Sequence, residues 1–553
     1  MKNNKIILIS SILISLFFVS CSLGTLSVLN NNIPINIEKE SKTTMEISQP
    51  SIAATDEPVK ILIYAEYADE TRELPNTITA IEDYYSNGGN GPDFYHENLT
   101  DYSELGSKLS NFDILLIAEQ EGASIIDMKN VGNHWKNTLT NFVNKGGIVI
   151  SLDGYEKTHH ILNETGLISF TEFTHRTAVT LTLENENNPL ARGIEDSWSS
   201  AVSTGSFDTT ETISVVEYGS ESVVVHKIVG RGEVVMLGYD VYNSDTNHNY
   251  DKILANAIRL HEHVIFDNSH GNVYTIGAEI SDYADDLVSE GFAVSQMDIF
   301  DTDTLIAAET LVIQGFLGGT SYSSSELNAI EMFVNNGGGL FLIADIEAYG
   351  NKLDPIFSRF GFERNKTGCL LDSVEYVGGQ NHYIYYDDED INILNHSINL
   401  GVADIELYGS TGFTKIPSGA DILVKSDNDP SSTWNKDGGV ALNVPIVVAS
   451  VTGSGGRVVV CADLAFINDE ANLDGDSTHN YYDRDNEVFL VNIIDWVLDA
   501  SPSPDRGVSG DDDDDDSDSE SSSSIVGFEI SILIISIVVI SVLIIRKRRL
   551  FIQ

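Results

Sequence analysis

The stretch Phe142-Val143-Asn144-Lys145-Gly146-Gly147-Ile148-Val149-Ile150-Ser151 reads as a helix end, a glycine stop and a buried strand. Gly146 and Gly147 can take the positive φ that closes a helix, where a Cβ would clash. Ile148 to Ile150 is β-branched and apolar, as a strand covered on both faces should be. The stretch returns 191 residues later (142 to 333) as Phe333-Val334-Asn335-Asn336-Gly337-Gly338-Gly339-Leu340-Phe341-Leu342. A chain that writes one αβ unit twice is constrained to two copies of one α/β domain.

The blocks around that unit also recur in order. Asn188-Pro189-Leu190-Ala191-Arg192-Gly193-Ile194 pairs with 395–402, and Gly232 to Gly238 pairs with Gly456 to Ala462. His248-Asn249-Tyr250 recurs as His479-Asn480-Tyr481, and Asn256-Ala257-Ile258 as Asn492-Ile493-Ile494. Such a period is far longer than that of a solenoid, so the pattern is a duplication. In the first copy, strands are expected over 60–67 and 112–117, with helices over 77–85 and 128–144. Ala178 to Leu183 alternates like a half-exposed strand, and further strands are expected over 214–218, 222–228 and 232–238. In the second copy, strands are expected over 263–267 and 309–313 and helices over 280–290 and 323–335. Ser323 and Glu326 are spaced as a capping box. Gly453-Ser454-Gly455-Gly456 precedes a strand and reads as a hairpin turn, not a phosphate loop. The domains expected are 57–262 and 263–500, each an α/β sandwich with a mostly parallel sheet.

The ends have another character. Lys2 and Lys5, an apolar run from Ile6 to Val19 and Ser20-Cys21-Ser22 form the layout of an export signal over 1–21. Phe18-Val19-Ser20-Cys21 resembles a lipobox and makes Cys21 a lipidation candidate, with plain cleavage or an uncleaved anchor as alternatives. Residues 22–56 read as a flexible lead-in. Residues 501–524 are a Ser, Asp and Pro linker that like charges would extend. Residues 525–545 are apolar enough to span a bilayer. The basic tail 546–553 that follows predicts a cytoplasmic C-terminus, with the bulk of the chain outside the cell membrane. In an exported chain, Asn98, Asn163, Asn365 and Asn395 head glycosylation motifs. Three cysteines are few for such a chain, and Cys369 and Cys461 are expected as buried free thiols.

The formal charge is −53, and Asp511 to Asp516, Asp518 and Glu520 supply eight of those charges, so −45 remains without them. That sign opposes a phosphate backbone, and nucleic acid is not an expected partner.

Taken together, strand, helix, "FD-LLI", helix, "F-N-GG-strand", "NP-ARGI" and "GRGEVVMLGYD" resemble the class I glutamine amidotransferase-like superfamily. The branch is that of the trehalose-utilisation-like proteins and the DUF4350 domain. Phe266-Asp267-Asn268-Ser269-His270-Gly271 is similar to the Asp-x-x-His-Gly opening of the latter. The resemblance covers about 58–262 and 263–499. It implies two tandem flavodoxin-like three-layer sandwiches. It also implies a kinship with auxiliary proteins of ABC-type transporters. Active members of the superfamily carry Gly-x-Cys-x-Gly directly after the glycine-led strand, a turn that exposes and activates the thiol. Here those turns read Ser151-Leu152-Asp153-Gly154-Tyr155 and Ile343-Ala344-Asp345-Ile346-Glu347. The family's Cys-His-Glu set therefore cannot be transferred, and loss of amidotransferase chemistry is expected.

Carboxylates and histidines remain where such folds bind ligands, at the carboxyl ends of the strands. The candidates are Asp153 and His248 in the first copy and Asp267, His270, Asp345, Asp463 and His479 in the second. Such pairs can bind a metal or activate water, and equally cap a helix or tighten a turn. Asn472-Leu473-Asp474-Gly475-Asp476 and Asp483-Arg484-Asp485-Asn486-Glu487 are oxygen-rich, but their spacing departs from the EF-hand loop. They are expected as a solvated acidic loop. No cofactor is required, with Ca²⁺ or another divalent ion the conceivable one. The expectation is a single-pass surface protein whose two silent domains bind a small molecule, a glycan or an envelope partner. The alternatives are an exported Asp/His or metal-assisted hydrolase and an auxiliary subunit of an ABC-type transporter or surface machine.

Overall fold

A computed structural model describes residues 58–498, except 90, 201–202, 242–247, 317–318, 367, 388–395 and 437. The expectations for the leader with Cys21, the lead-in, the linker, the apolar span, the basic tail and Asn395 fall outside these residues. No helix among the described residues is long and apolar enough to cross a membrane.

The repeated unit forms as a helix, a glycine stop and a strand. The helix Ile125–Asn144 closes through Gly146 at φ +104° and feeds the buried strand Ile148–Leu152. The helix Ser324–Asn335 closes through Gly337 at φ +99° and feeds Gly339–Ile343. Only the first glycine of each pair is left-handed. The second is small for a different reason. A Cβ at Gly147 would lie 2.4 Å from the Phe142 ring, and one at Gly338 2.5 Å from the Phe333 ring. Both helices start with a capping box. The one at Ser323 and Glu326 is legible in sequence. The one at Ser124 and Asp127 uses an aspartate where glutamate is usual.

The first sheet contains β1 (Val59–Tyr64), β2 (Phe94–Leu99), β3 (Ile114–Ile117), β4 (Ile148–Leu152), β5 (Glu172–Arg176), β6 (Val179–Leu183), β7 (Ser197–Ser200), β8 (Thr204–Asp208), β9 (Ile213–Tyr218), β10 (Glu221–Val229) and β11 (Gly232–Leu237). Their order is β2-β1-β3-β4-β11-β10-β9-β6-β7, with β8 joining β10 to β5. The second copy contributes β12 (His263–Asp267), β13 (Ala293–Met297), β14 (Thr310–Gln314), β15 (Gly339–Ile343), β16 (Glu363–Arg364), β17 (Leu370–Leu371), β18 (Tyr383–Tyr386), β19 (Ile405–Tyr408), β20 (Phe413–Lys415), β21 (Asp421–Lys425), β22 (Thr433–Trp434), β23 (Pro445–Val451) and β24 (Arg457–Cys461). Its main sheet runs β13-β12-β14-β15-β24-β23-β21, the same path as the seven strands from β2 to β9 of the first sheet, which continues to β6 and β7. The other six strands form three small antiparallel pairs.

The first sheet is mixed, with four parallel pairings and six antiparallel, whereas the second main sheet is mostly parallel, in four pairings of six. Pairing is parallel from β2 to β11 and from β13 to β24, and antiparallel beyond. The reason is connection length. β10 reaches β11, and β23 reaches β24, through tight turns that cannot make the crossover a parallel pair needs. The Gly453–Gly456 segment is one of these turns, closed by Thr452 N donating to Gly456 O at 2.7 Å.

Helices cover both faces of the first sheet. Ile61 and Ile63 of β1 pack with Leu74 and Ile81 of the helix Glu73–Tyr84 and with Ile253 and Ile258 of the helix Asn249–Arg259. Leu62 and Tyr64 face the other way, onto Met128, Trp135 and Leu139. The copies also touch each other. Arg192 donates to the carbonyls of Ile276 and Ser281, and Arg259 to those of Tyr84 and Val288. Glu233 is buried between His226 and His263, with His263 Nδ1 at 3.5 Å.

Candidate functional site

The carboxyl ends of the parallel strands carry the charged side chains, and their surroundings sort them. Asp153, at the end of β4, is fully buried. It accepts from the amides of Tyr155, Lys157 and His159 and pairs with His159 Nδ1 at 2.7 Å. Every acceptor position is used to fold the turn and start the helix His159–Thr165. Glu119 beside it is also buried, and one oxygen accepts from Gly154 N while Oε1 has no hydrogen bond. Burial, then the charge of Asp153, pushes its carboxyl well up. Glu73 has both carboxylate oxygens buried without a hydrogen bond, and burial followed by Asp240 pushes it up to about 8. His248 stands apart, half-exposed at φ +55°, stacked on Tyr84 and bonded to Asp251 at 3.0 Å.

In the second copy, the end of β12 gathers several candidates. Asp267 accepts from Ser269 N at 3.0 Å and Ser269 Oγ at 2.5 Å, and from the Tyr322 hydroxyl. His270 Nδ1 lies 2.8 Å from Ser269 Oγ and 3.4 Å from Asp267, and its Nε2 lies 3.5 Å from Glu326. Its ring stacks on Tyr322 at 3.7 Å. Burial lowers the His270 pKa, but the carboxylates of Asp267 and Glu326 outweigh it and the net shift is upward. Asp345, after β15, is buried beside Asp463. Burial, then Asp463, pushes it up to about 8. Asp463 accepts from Tyr408 N, Ser410 Oγ, Ala465 N and Phe466 N, which makes it the staple of the turn after β24. His479 is exposed at the head of a 3-10 turn and is not drawn in beside Asp345.

The oxygen-rich loop is exposed at Asn472, Gly475, Asp476 and Arg484, as expected of a solvated segment, but Asp483 and its strand neighbour are not. Asp483 is 4% exposed and Glu406 of β19 is 3% exposed. One oxygen each from Glu406, Asp474 and Asp483 lies within 4.8 Å of the others, and these three could hold a metal ion. Burial, then the charges of Asp483 and Asp474, pushes Glu406 up to about 7. Glu406 was not legible as a member, because it sits on a strand some 70 residues upstream (406 to 474) with no motif around it.

Both described thiols are buried. Cys369 accepts from Asn435 Nδ2 at 2.8 Å. Cys461 ends β24, and burial followed by Asp463 raises its pKa well above the ordinary thiol value. Asn98 is exposed on β2, whereas the Asn163 amide is engaged with the backbone of Phe170 in both directions. Asn365 is half-buried, its backbone N–H bonded to Gly412 O. An apolar cleft of about 260 Å³, lined by Leu109, Phe112, Phe142 and Gly147, lies at the amino ends of β3 and β4, away from the carboxylates.

No family model and no curated protein matches the chain. Among solved structures, it is similar to the mmIFT52 N-terminal domain at 12% identity, over 42% of this chain and 97% of that one, with a TM-score of 0.34. It is also similar to a putative thua-like protein from Bacteroides uniformis at 15% identity, over 38% of this chain and 94% of that one, TM-score 0.28. A putative thua-like protein from Parabacteroides merdae matches at 13% identity, over 43% and 89%, TM-score 0.28. Likenesses of this strength are silent on what the chain acts on.

Proposed function

We propose that the chain is a membrane-held surface protein whose two amidotransferase-like copies bind a ligand, a glycan or an envelope partner without transforming it. One observation carries this reading. At the turns after β4 and β15, where the superfamily it resembles places its nucleophile, the chain has Asp153 and Asp345, both buried. Asp153 has its oxygens occupied by its own turn and so no lone pair to offer a substrate, while Asp345 accepts from Ile346 N and is pushed toward its neutral form by burial and Asp463. The two described thiols lie buried, and a thiol shifted upward by burial is a poor nucleophile. The test is a binding screen of the full chain in mild detergent against glycans and metabolites, read by thermal shift, beside assays for glutamine, ester and phosphate hydrolysis. Saturable binding without turnover is the expected result, and turnover of glutamine would overturn it.

A second reading, an Asp/His hydrolase, is favoured by the Asp267, Ser269 and His270 cluster. Ser269 is half-exposed and its hydroxyl lies between the carboxylate and the imidazole. Its weakness is direction. Ser269 Oγ donates to Asp267, so the histidine is not positioned to take that proton. Hydrolysis abolished by both Ser269→Ala and His270→Ala would establish this reading, and hydrolysis indifferent to them would remove it.

A further inference from the structure

We propose that Glu406, Asp474 and Asp483 bind a calcium ion. The three come from distant parts of the chain. Glu406 lies on β19, Asp474 in the loop after β24, and Asp483 just before the helix Asn486–Leu498. Two neighbours of Asp483 pin the loop to the strand. Asp485 accepts from the amides of Ala403 and Asp404, at 2.7 and 3.2 Å. Asn486 accepts from Glu406 N at 3.0 Å and donates to Glu406 O at 2.9 Å. Arg484, at φ +57°, is bridged to Ile405. On the far side, a Cβ on Gly378 would lie 2.3 Å from the carbonyl of Asp474, so that turn fits against the loop only as glycine. The segments that carry the three carboxylates are thus pinned to one another through the backbone.

What points to a ligand is the state of Glu406. Its side chain is buried, and Oε2 meets Arg484 Nε at 3.3 Å, but Oε1 has no hydrogen-bond partner. An unsatisfied buried carboxylate oxygen carries a penalty that proteins seldom leave standing. Arg484 is already shared with Asp404. Asp483 accepts from the Tyr408 and Thr478 hydroxyls, which supply hydrogen bonds but no charge. Among the described residues, Glu406 is the one of the three carboxylates that meets a cationic side chain, and it shares that guanidinium with Asp404. A cation on the Oε1 side satisfies the orphan oxygen and the excess charge together.

The donors identify the cation class. All three are carboxylate oxygens, with no imidazole or thiolate in the group, which disfavours zinc. Their mutual separation of up to 4.8 Å is within the roughly 5 Å that opposed oxygens span across calcium. Magnesium sheds water reluctantly and is usually held by one or two carboxylates. This site stands apart from the ligand-binding reading, and either can fail without the other.

The test is calorimetric titration of Ca²⁺ into the chelator-stripped full chain in mild detergent at pH 7.5. Three forms are compared: the native chain, Asp474→Asn, and a chain with residues 511–516 changed to asparagine. Asp474 is the half-buried member, so its amide is the mildest change. Glu406→Gln is a second arm, with its melting curve in chelator reporting whether it folds. The expected result is one saturable site with Kd of about 10⁻⁴–10⁻³ M, as in extracellular calcium modules. Asp474→Asn should weaken it by about tenfold or more, because ligand charge sets affinity. The 511–516 variant should keep it. Saturable binding should also raise the melting temperature of the native chain by mass action. Equal affinity in Asp474→Asn, binding lost only with the 511–516 aspartates, or Mg²⁺ competing at equal concentration would overturn the proposal. So would absence of saturable binding, which would leave a proton on Oε1.

Discussion

The two copies keep the same framework and part company at one loop. In each, an asparagine on the last helix ties down the turn that precedes the antiparallel strands. Asn256 Nδ2 donates to the carbonyls of Leu190 and Arg192, and Asn492 Nδ2 to those of Ile398 and Leu400, all at 2.9 to 3.0 Å. The His-Asn-Tyr block then behaves differently. His248 leads directly into the helix Asn249–Arg259, whereas His479 leads into a 3-10 turn and the helix waits until Asn486. Asn256 follows Tyr250 by six positions and Asn492 follows Tyr481 by eleven (250 to 256, 481 to 492). The longer segment holds Asp483, Arg484 and Asp485. Side chains that bind backbone recur because the fold needs them. Among the described residues that acidic cluster appears in the second copy alone, since a surface loop can lengthen at little cost in closure entropy.

The equivalence of the frameworks breaks first, if it breaks, at the glycine that opens β11 and the one just before β24. A Cβ on Gly232 would lie 2.3 Å from Gly147 O and 2.4 Å from Val143 O, and one on Gly456 would lie 1.9 Å from Val334 O. These are backbone atoms at the end of the preceding helix, and they cannot step aside. Gly232→Ala and Gly456→Ala should each destabilise by about 3 kcal/mol or more, a melting shift of roughly 6–12 °C. Scanning calorimetry of both variants would show whether the copies respond alike. A large effect in one and none in the other would end the claim that the two sites do the same job.

The position after each glycine sharpens the contrast. It is Glu233 in the first copy and Arg457 in the second, where Arg457 stacks over Trp496 and donates to its carbonyl at 2.7 Å. Burial alone would raise the Glu233 pKa, but His226 and His263 outweigh it and hold it down at about 2. A carboxyl lowered in the folded chain adds stability above its unfolded value and loses it as pH falls toward the folded one. Glu233→Gln should therefore lower stability by about 3 kcal/mol at pH 7. The penalty should shrink between about pH 4.5 and pH 2. Melting curves at pH 7 and pH 3 would test this. Next in size, Asn256→Ala and Asn492→Ala should each cost about 2 kcal/mol, since each leaves two carbonyls without a donor. A difference between them much above about 0.5 kcal/mol would mean the copies no longer share that tie.

These residues also mark how far the sequence could be read. The repeated Phe-x-Asn-x-Gly-Gly blocks, the capping box at Ser323 and the parallel strands β1, β3, β4, β12, β14 and β15 were legible. Each depends on local propensity or burial on both faces. The edge strands β2 and β13 were not, because Phe94–Leu99 mixes exposed and buried positions without clean alternation, and Ala293–Met297 is buried almost throughout although its sequence carries Ser295 and Gln296 in the middle. At the site, an aspartate after a strand is visible in sequence, but its task is not. Asp153 and Asp463 fold their own turns, Asp267 meets its histidine through Ser269, and Glu406 is placed by strand pairing that no spacing reveals.

The smallest expected effect separates the copies by pH. Glu73, in the first copy, is 2% exposed with neither oxygen hydrogen-bonded, and burial with Asp240 and Glu121 nearby pushes it up to about 8. The folded chain then holds a proton that the unfolded chain has released above about pH 4.5. Stability from this group is full below that value and is lost as pH climbs toward 8. Glu73→Gln supplies the neutral form permanently. It should leave the melting temperature unchanged at pH 4.5 and raise it by roughly 2–4 °C at pH 8.5, or about 1 kcal/mol. Thermal melts at the two pH values suffice. Should the glutamine instead destabilise at pH 8.5, Glu73 is charged in the folded chain. The first copy would then neutralise its carboxylates with a bound group, as proposed for the second.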